Sequence, residues 1–264
     1  MAAAVGVKNV DEVQRFLAYV RSFDPDVPRI RLKQEHSLRV SALCAQLARR
    51  KGWCETEIAL ARQIGLLHDI GRFRQVVQYG TFVDGASVSH AALGAKILFE
   101  EGWIRYFRFD ASEDHLIRQV IRVHSDRFLP QGLSVREQRF AHLLRDGDKI
   151  DILRVHQEHP FTDYLDCTKE ELAVSTVSDA LIDAFLRHET VDHALRRTPL
   201  DILLSHDALV FGLHDPLSRQ LFIETGCPLF SALEGIRFRD DTRQRLHILQ
   251  EECRRCGFPV KEVL

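Results

Sequence analysis

The chain has 264 residues, 45% hydrophobic and 28% charged, a balance that supports a sizeable core in one domain or one and a half. The 36 Lys and Arg residues against 38 Asp and Glu leave a net charge of -2, so no overall field favours nucleic acid or an anionic membrane. No apolar run approaches the roughly 18 residues of a membrane span, and MAAAVGVKNVDEVQ lacks the cationic start and apolar segment of a secretion signal. A cytoplasmic protein is expected, and six cysteines scattered at positions 44, 54, 167, 227, 253 and 256 fit reduced thiols. Cys253 and Cys256 form a CxxC, but no second pair or redox-type βαβ pattern accompanies them.

Apolar residues recur at three- and four-residue steps and long alternating runs are absent, which predicts an all-α protein. A first helix is expected near 9–22, then a Pro/Asp loop in FDPDVPRIR, then a helix from Gln34 to Arg50 with His36, Val40, Leu43 and Leu47 along one face. The next helix, about 55–69, aligns Ala61 and Ile64 with His68 and ends at Gly71. RFRQVVQYGTFVDGASVS reads as a long flexible connection into a helix starting near Ser87 or Ser89, where His90 shares a face with Leu93, Gly94 and Ile97. A helix over about 112–125 lines up Ile117, Val120 and His124, and FLPQGLS breaks the chain again. The longest pattern runs from Ser134 to about His156, with Ala141, Leu144, Asp148 and Ile152 at helical intervals. Beyond Pro160 the pattern stays helical, so residues 1–160 are expected to form one helical domain and 161–264 a helical C-terminal extension packed on it.

Each of five helices thus brings a metal-competent side chain to an apolar face: His36, His68 with Asp69, His90, His124 and Asp148. A single core-facing histidine is unremarkable, but a carboxylate among apolar neighbours carries a desolvation cost of several kcal/mol unless paired or coordinated. Asp148, between Leu144 and Ile152, therefore needs a partner, and a divalent ion would satisfy it together with the histidines. Adjacent helical residues point roughly 100° apart, so His68 and Asp69 reach one centre only where the helix ends, and Gly71 supplies an end.

The ordered set His36, His68-Asp69, Asp148, with EHSLRV, HDIGRF and RDGDKIDIL around it, resembles the HD-domain superfamily of metal-dependent phosphohydrolases over roughly residues 30–157. His90 and His124 extend the resemblance to members holding two metals. It implies that Asp69 bridges, that His36, His68 and Asp148 hold one ion and that His90 and His124 hold the other. One or two divalent ions are expected, drawn from Mn, Fe, Mg, Ni, Co or Zn. The family places its last ligand directly before a lysine, which favours Asp148 over Asp146 and Asp151 and leaves those two to a solvated face or a helix-end interaction. VHSD departs from the His-His-Glu and Gly-Tyr-Pro signature of cyclic-di-GMP phosphodiesterases, which argues against that activity. Two further His-Asp pairs, His206-Asp207 and His214-Asp215, lack the ordered partners and read as structural.

The chemistry implied is hydrolysis of a phosphomonoester or phosphodiester, a nucleotide among the candidates, by a metal-activated water. Asp69, Arg72 and Lys149 are the catalytic candidates. Arg72 stands where many relatives carry a lysine, and with Arg39 and Thr81 it is also a candidate for binding a small phosphoester substrate. Thr81 and Asp84 sit in the connection, where they would shape the entrance or assist proton transfer, or simply serve a loop. WIRYFRF mixes aromatics with arginines and reads either as a base-stacking platform or as aromatic packing at a helix end. The ligand set also resembles that of HD-type diiron oxygenases, and a regulatory module retaining its metal without turnover is a third reading.

Overall fold

The computed structural model describes residues 2–263, with side chains from residue 11 onward, so most side chains of the stretch inspected for a leader lie outside it. The helices are α1 (Ala2–Val20), α2 (Pro28–Arg50), α3 (Glu55–Leu67), α4 (Ile70–Tyr79), α5 (His90–Phe99), α6 (Trp103–Tyr106) and α7 (Asp114–Val123). They continue with α8 (Val135–Glu158), α9 (Lys169–Val174), α10 (Asp179–Leu186), α11 (Pro199–Asp207), α12 (Pro216–Thr225) and α13 (Asp240–Arg255). Among the described residues there is no strand, only an isolated bridge between Leu229 and Val260, so the fold is all-α. No described helix is long and apolar enough to cross a membrane, and all six cysteines are free thiols. The chain divides into two compact units, Met1–Asp148 and Lys149–Leu264.

In the first unit α2 buries Ile30, His36, Val40, Cys44 and Leu47 at helical spacing and packs along α3. The approach is close because Gly65 has no side chain: a Cβ there would lie 3.0 Å from both the Cys44 thiol and the Val40 carbonyl. Gly147 of α8 meets the same thiol from another side, where its Cβ would come to 3.2 Å. Glycine costs a helix interior about 1 kcal/mol relative to alanine, and here it brings backbones together immediately beside His68 and Asp148.

The segment after Gly71 is not a connection. Ile70, Phe73 and Val76 are buried at helical steps, and the left-handed Gly80, φ 68°, closes α4 by donating to the Val76 carbonyl. Gly71 opens this helix rather than ending the previous one, because a Cβ on it would lie 2.2 Å from the His90 carbonyl oxygen. Phe73 then meets Phe16 and Tyr19 edge-on and Phe23 at a tilt, and the Trp103 ring sits 5.0 Å from that of Tyr19, so WIRYFRF contributes to aromatic packing.

The second unit is punctuated by caps. Thr168 and Glu171 form a capping box at α9, Ser178 caps α10, Thr198 precedes Pro199 at α11, and Asp215 precedes Pro216 at α12. Its core contains Phe185, Phe222, Phe230, Leu249 and Cys253, with α10 packed on α13.

Candidate metal centre

Two of the histidines are held by the ends of their own helices. The last turn of a helix leaves carbonyls without intrahelical partners. His68 caps α3 and its Nδ1 donates to the Gly65 carbonyl at 2.8 Å; His124 caps α7 and its Nδ1 donates to the Ile121 carbonyl at 2.7 Å. A carbonyl can only accept, so each Nδ1 carries the proton and, in the neutral ring, Nε2 presents a lone pair.

His90 is held differently. It is the first residue of α5, and Asp84 takes its Nδ1 at 2.7 Å and its backbone N–H at 3.3 Å. Burial pushes the Asp84 carboxyl up, but the His90 hydrogen bond, the Arg72 charge and Gln75 oppose it and hold the group well below its ordinary value. Burial, reinforced by Arg72, lowers His90 to about 3, so at physiological pH the ring is neutral and its Nε2 offers a lone pair to a ligand.

Asp69 sits between two groups of nitrogens. The chain leaves helical geometry at this residue, with φ -101° and ψ 18°, before α4 begins. Asp69 Oδ2 faces His36 and His68 Nε2 at 3.6 Å each, and Oδ1 faces His90 Nε2 at 3.4 Å and His124 Nε2 at 3.7 Å. Asp148 Oδ1 completes the first group, 3.0 Å from His36 Nε2 and 3.5 Å from His68 Nε2. Burial would raise both carboxyls, yet both lie well below the ordinary range. For Asp69 the opposing influences are Lys33, His68, His124 and His90; for Asp148 they are His36 and His68.

The donors fit divalent cations. His90 and His124 Nε2 lie 3.1 Å apart with their protons on the other ring nitrogen, and two facing lone pairs repel unless a cation lies between them. Ligands about 2.1 Å from one ion are ~3.0 Å apart at a right angle and ~3.4 Å apart at a tetrahedral angle, close to most spacings observed here. Imidazole nitrogen with carboxylate oxygen suits Mn, Fe, Co, Ni and Zn. The six residues named from the sequence as ligands are brought together, each two-lobed half sharing Asp69.

The remaining candidates are placed as follows. Arg72 Nη1 donates to Gln75 Oε1, the Phe82 carbonyl and Asp84 Oδ1 at 2.6–2.9 Å, while its buried Nε has no hydrogen-bond partner and lies 3.7 Å from Asp69 Oδ1. Thr81 Oγ1 accepts from the Val83 N–H, and Arg39 lies 3.8 Å from Glu35, one helical turn away. Lys149, the first residue of the second unit, donates to the Gly212 carbonyl. Asp146 and Asp151 are 1% and 0% exposed, so the expectation of a solvated face is corrected: both lie on the inward side of a helix buried on more than one face.

Lys33 is the residue the sequence reading passed over. Its Nζ is 2.7 Å from Asp69 Oδ2 and it lies 5.3 Å from the centre of the Phe82 ring, which Arg29 and Arg72 also approach. The available signal was its place three residues before His36, on the same helical face.

The HD-domain family profile matches residues 34–181, more than half of the chain. The protein is an HD-domain protein. The match begins two residues before the first histidine of the cluster and includes all six donors. The HD-domain family includes metal-dependent hydrolases. No curated protein and no solved structure matches this HD-domain chain significantly.

Proposed function

We propose that this HD-domain protein is a metal-dependent phosphohydrolase acting on a small phosphomonoester or phosphodiester. The observation that supports it most directly is the pairing of a buried carboxylate with part-buried cations: Asp69 faces nitrogen donors through both oxygens, and Lys33 and Arg72 stand beside it. His36, His68, Asp69 and Asp148 would hold one ion, and Asp69, His90 and His124 the other. Bound there, divalent ions supply Lewis-acid stabilisation of phosphoryl oxygens and lower the pKa of water.

The chain's own residues do the rest. Lys33 and Arg72 provide positive charge for the equatorial oxygens of the reacting phosphoryl group, and the Arg72 Nε, which has no hydrogen-bond partner, is a donor available to such an oxygen. Gln75 and Asp84 fix the Arg72 fork, and Asp84 also fixes the His90 ring, so one loop carboxylate orients a ligand and a substrate-binding cation together. Asp69 remains ionised in its buried site, as a ligand and acceptor must.

The test is a panel of phosphoesters with Mn²⁺-loaded and, separately, Fe²⁺-loaded protein, following phosphate release and oxygen uptake in parallel. Phosphate release without oxygen consumption is the expected result. Substrate loss coupled to oxygen uptake, with no phosphate freed, overturns hydrolysis in favour of an iron-dependent oxygenase. Nucleotide binding without turnover assigns a regulatory module.

A further inference from the structure

A second group of metal-competent side chains meets in the other unit, made of different donors. His188 Nε2 lies 2.7 Å from Glu252 Oε1 and 3.3 Å from Cys256 Sγ, so a nitrogen, an oxygen and a sulfur converge around one point. Glu252 and Cys256 are four residues apart at the end of α13 and therefore share a face. His188 comes from the residue after the C-cap of α10, where the Glu189 N–H closes onto the Ala184 carbonyl at 2.9 Å.

That position is usually glycine, because it requires left-handed backbone, and His188 indeed has φ 56°. Here a ring stands in place of the missing side chain and is aimed. It stacks on Phe211 with centroids 5.2 Å apart and planes 20° apart, which sets the direction of Nε2. The Glu252 carboxylate is 5% exposed, and its other oxygen is held by Arg255 at 3.0 Å, leaving Oε1 for the shared point.

The same three residue types serve elsewhere as a Cys-His-carboxylate nucleophile, but that needs the thiol and the carboxylate on opposite ring nitrogens. Both approach Nε2 here, so the ring cannot pass a proton from one to the other. Burial and the Glu252 charge also push the Cys256 thiol up rather than activating it. Convergence on a single point is what coordination requires. The CxxC pattern is not the origin of the arrangement, since Cys253 is fully buried in the core and is not one of the three converging donors.

We propose that His188, Glu252 and Cys256 form a second divalent-metal site, with the nitrogen, oxygen and thiolate set that suits Zn²⁺ and with solvent completing the coordination. The Cys256 proton passes to buffer on binding. The site is chemically distinguishable from the His/Asp centre, whose six donors include no sulfur.

Co²⁺ reports the difference in the full-length chain, because a thiolate ligand adds a near-ultraviolet sulfur-to-metal charge-transfer band that nitrogen and oxygen donors do not. Titration of metal-free protein is expected to produce that band, and Cys256→Ser to abolish it and to lower Zn²⁺ stoichiometry by one. His188→Asn, which keeps a residue tolerant of left-handed backbone, should weaken Co²⁺ binding at this site at least tenfold with circular dichroism unchanged. His68→Ala should leave the band intact while reducing metal at the other centre. Absence of the band at saturating Co²⁺, or its persistence in Cys256→Ser, overturns the assignment.

Discussion

The chain carries buried aspartates in two His-Asp doublets, at 68–69 and at 206–207, and their surroundings give them opposite properties. The first doublet straddles a break between α3 and α4, so both side chains turn toward the same centre. The second lies within the last turn of α11, where neighbours diverge: Asp207 is buried, and the half-buried His206 meets His156 Nε2 at 3.0 Å through its Nδ1. Asp69 has Lys33 and a set of imidazoles around it and stays ionised despite burial. Asp207 accepts one backbone N–H, from Phe230 at 3.2 Å, and lies 3.9 Å from His156 Nδ1; burial pushes it up to about 7. His156 in turn is lowered to about 3 by burial, and its Nδ1 has no hydrogen-bond partner. The same dipeptide is therefore part of a His/Asp donor cluster in one place and a structural device in the other, holding the left-handed Phe230, φ 66°, by its N–H.

Exchanging charge for amide at the two aspartates is the most direct way to break this contrast. Asp69→Asn should reduce metal content, measured by elemental analysis, and phosphoester hydrolysis by more than the roughly 100-fold that marks loss of a ligand's outer partner, whereas Asp207→Asn should leave both unchanged. Equal effects at the two positions would erase the distinction. Asp84→Asn tests whether ring orientation contributes at the first site: it should weaken metal binding by about 10- to 100-fold, read by competition with a chelating dye.

Gly71→Ala probes the scaffold beneath the first doublet. With a carbonyl oxygen 2.2 Å from the new methyl, α4 and α5 must separate. A cost of about 3 kcal/mol is expected, at the upper end for overpacking, which thermal denaturation would show as a fall in Tm of roughly 6–12 °C.

The smallest effect sharpens the second doublet. Because Asp207 has a folded pKa of about 7, above the unfolded value, its contribution is fully present below about pH 4 and is lost as pH rises toward 7. The unfolding free energy of Asp207→Asn should therefore match wild type near pH 4, rise relative to it up to pH 7, and run parallel above, with a plateau gap of about 4 kcal/mol at most. A gap independent of pH would mean that Asp207 titrates normally. Acid loss of stability below about pH 6.5, caused by the depressed His156, should persist in both proteins.

Much of the first centre was legible because its residues obey helical spacing: His36 with Val40 and Leu47, and Asp148 beyond Leu144, lie on stripes whose burial the sequence implies. The all-α fold followed from the same period. What escaped had a common cause, the ambiguity of glycine and of charge. Gly71 looked like the end of one helix, when its missing side chain serves the approach of α4 to α5, and the following ten-residue helix was hidden by that reading. Asp146 and Asp151 looked solvated because a helix buried on several faces has no polar side to betray it. Lys33 went unnamed, since its approach to Asp69 depends on tertiary placement.

The Nδ1 anchors of His68 and His124 have a kinetic consequence. Each ring is aimed by a carbonyl three residues behind it, so the aiming is completed when the helix forms and does not wait for an ion. Capture is then limited by stripping water from the cation rather than by rearranging protein, and backbone amide spectra of empty and loaded protein should nearly superimpose outside the immediate shell of donors.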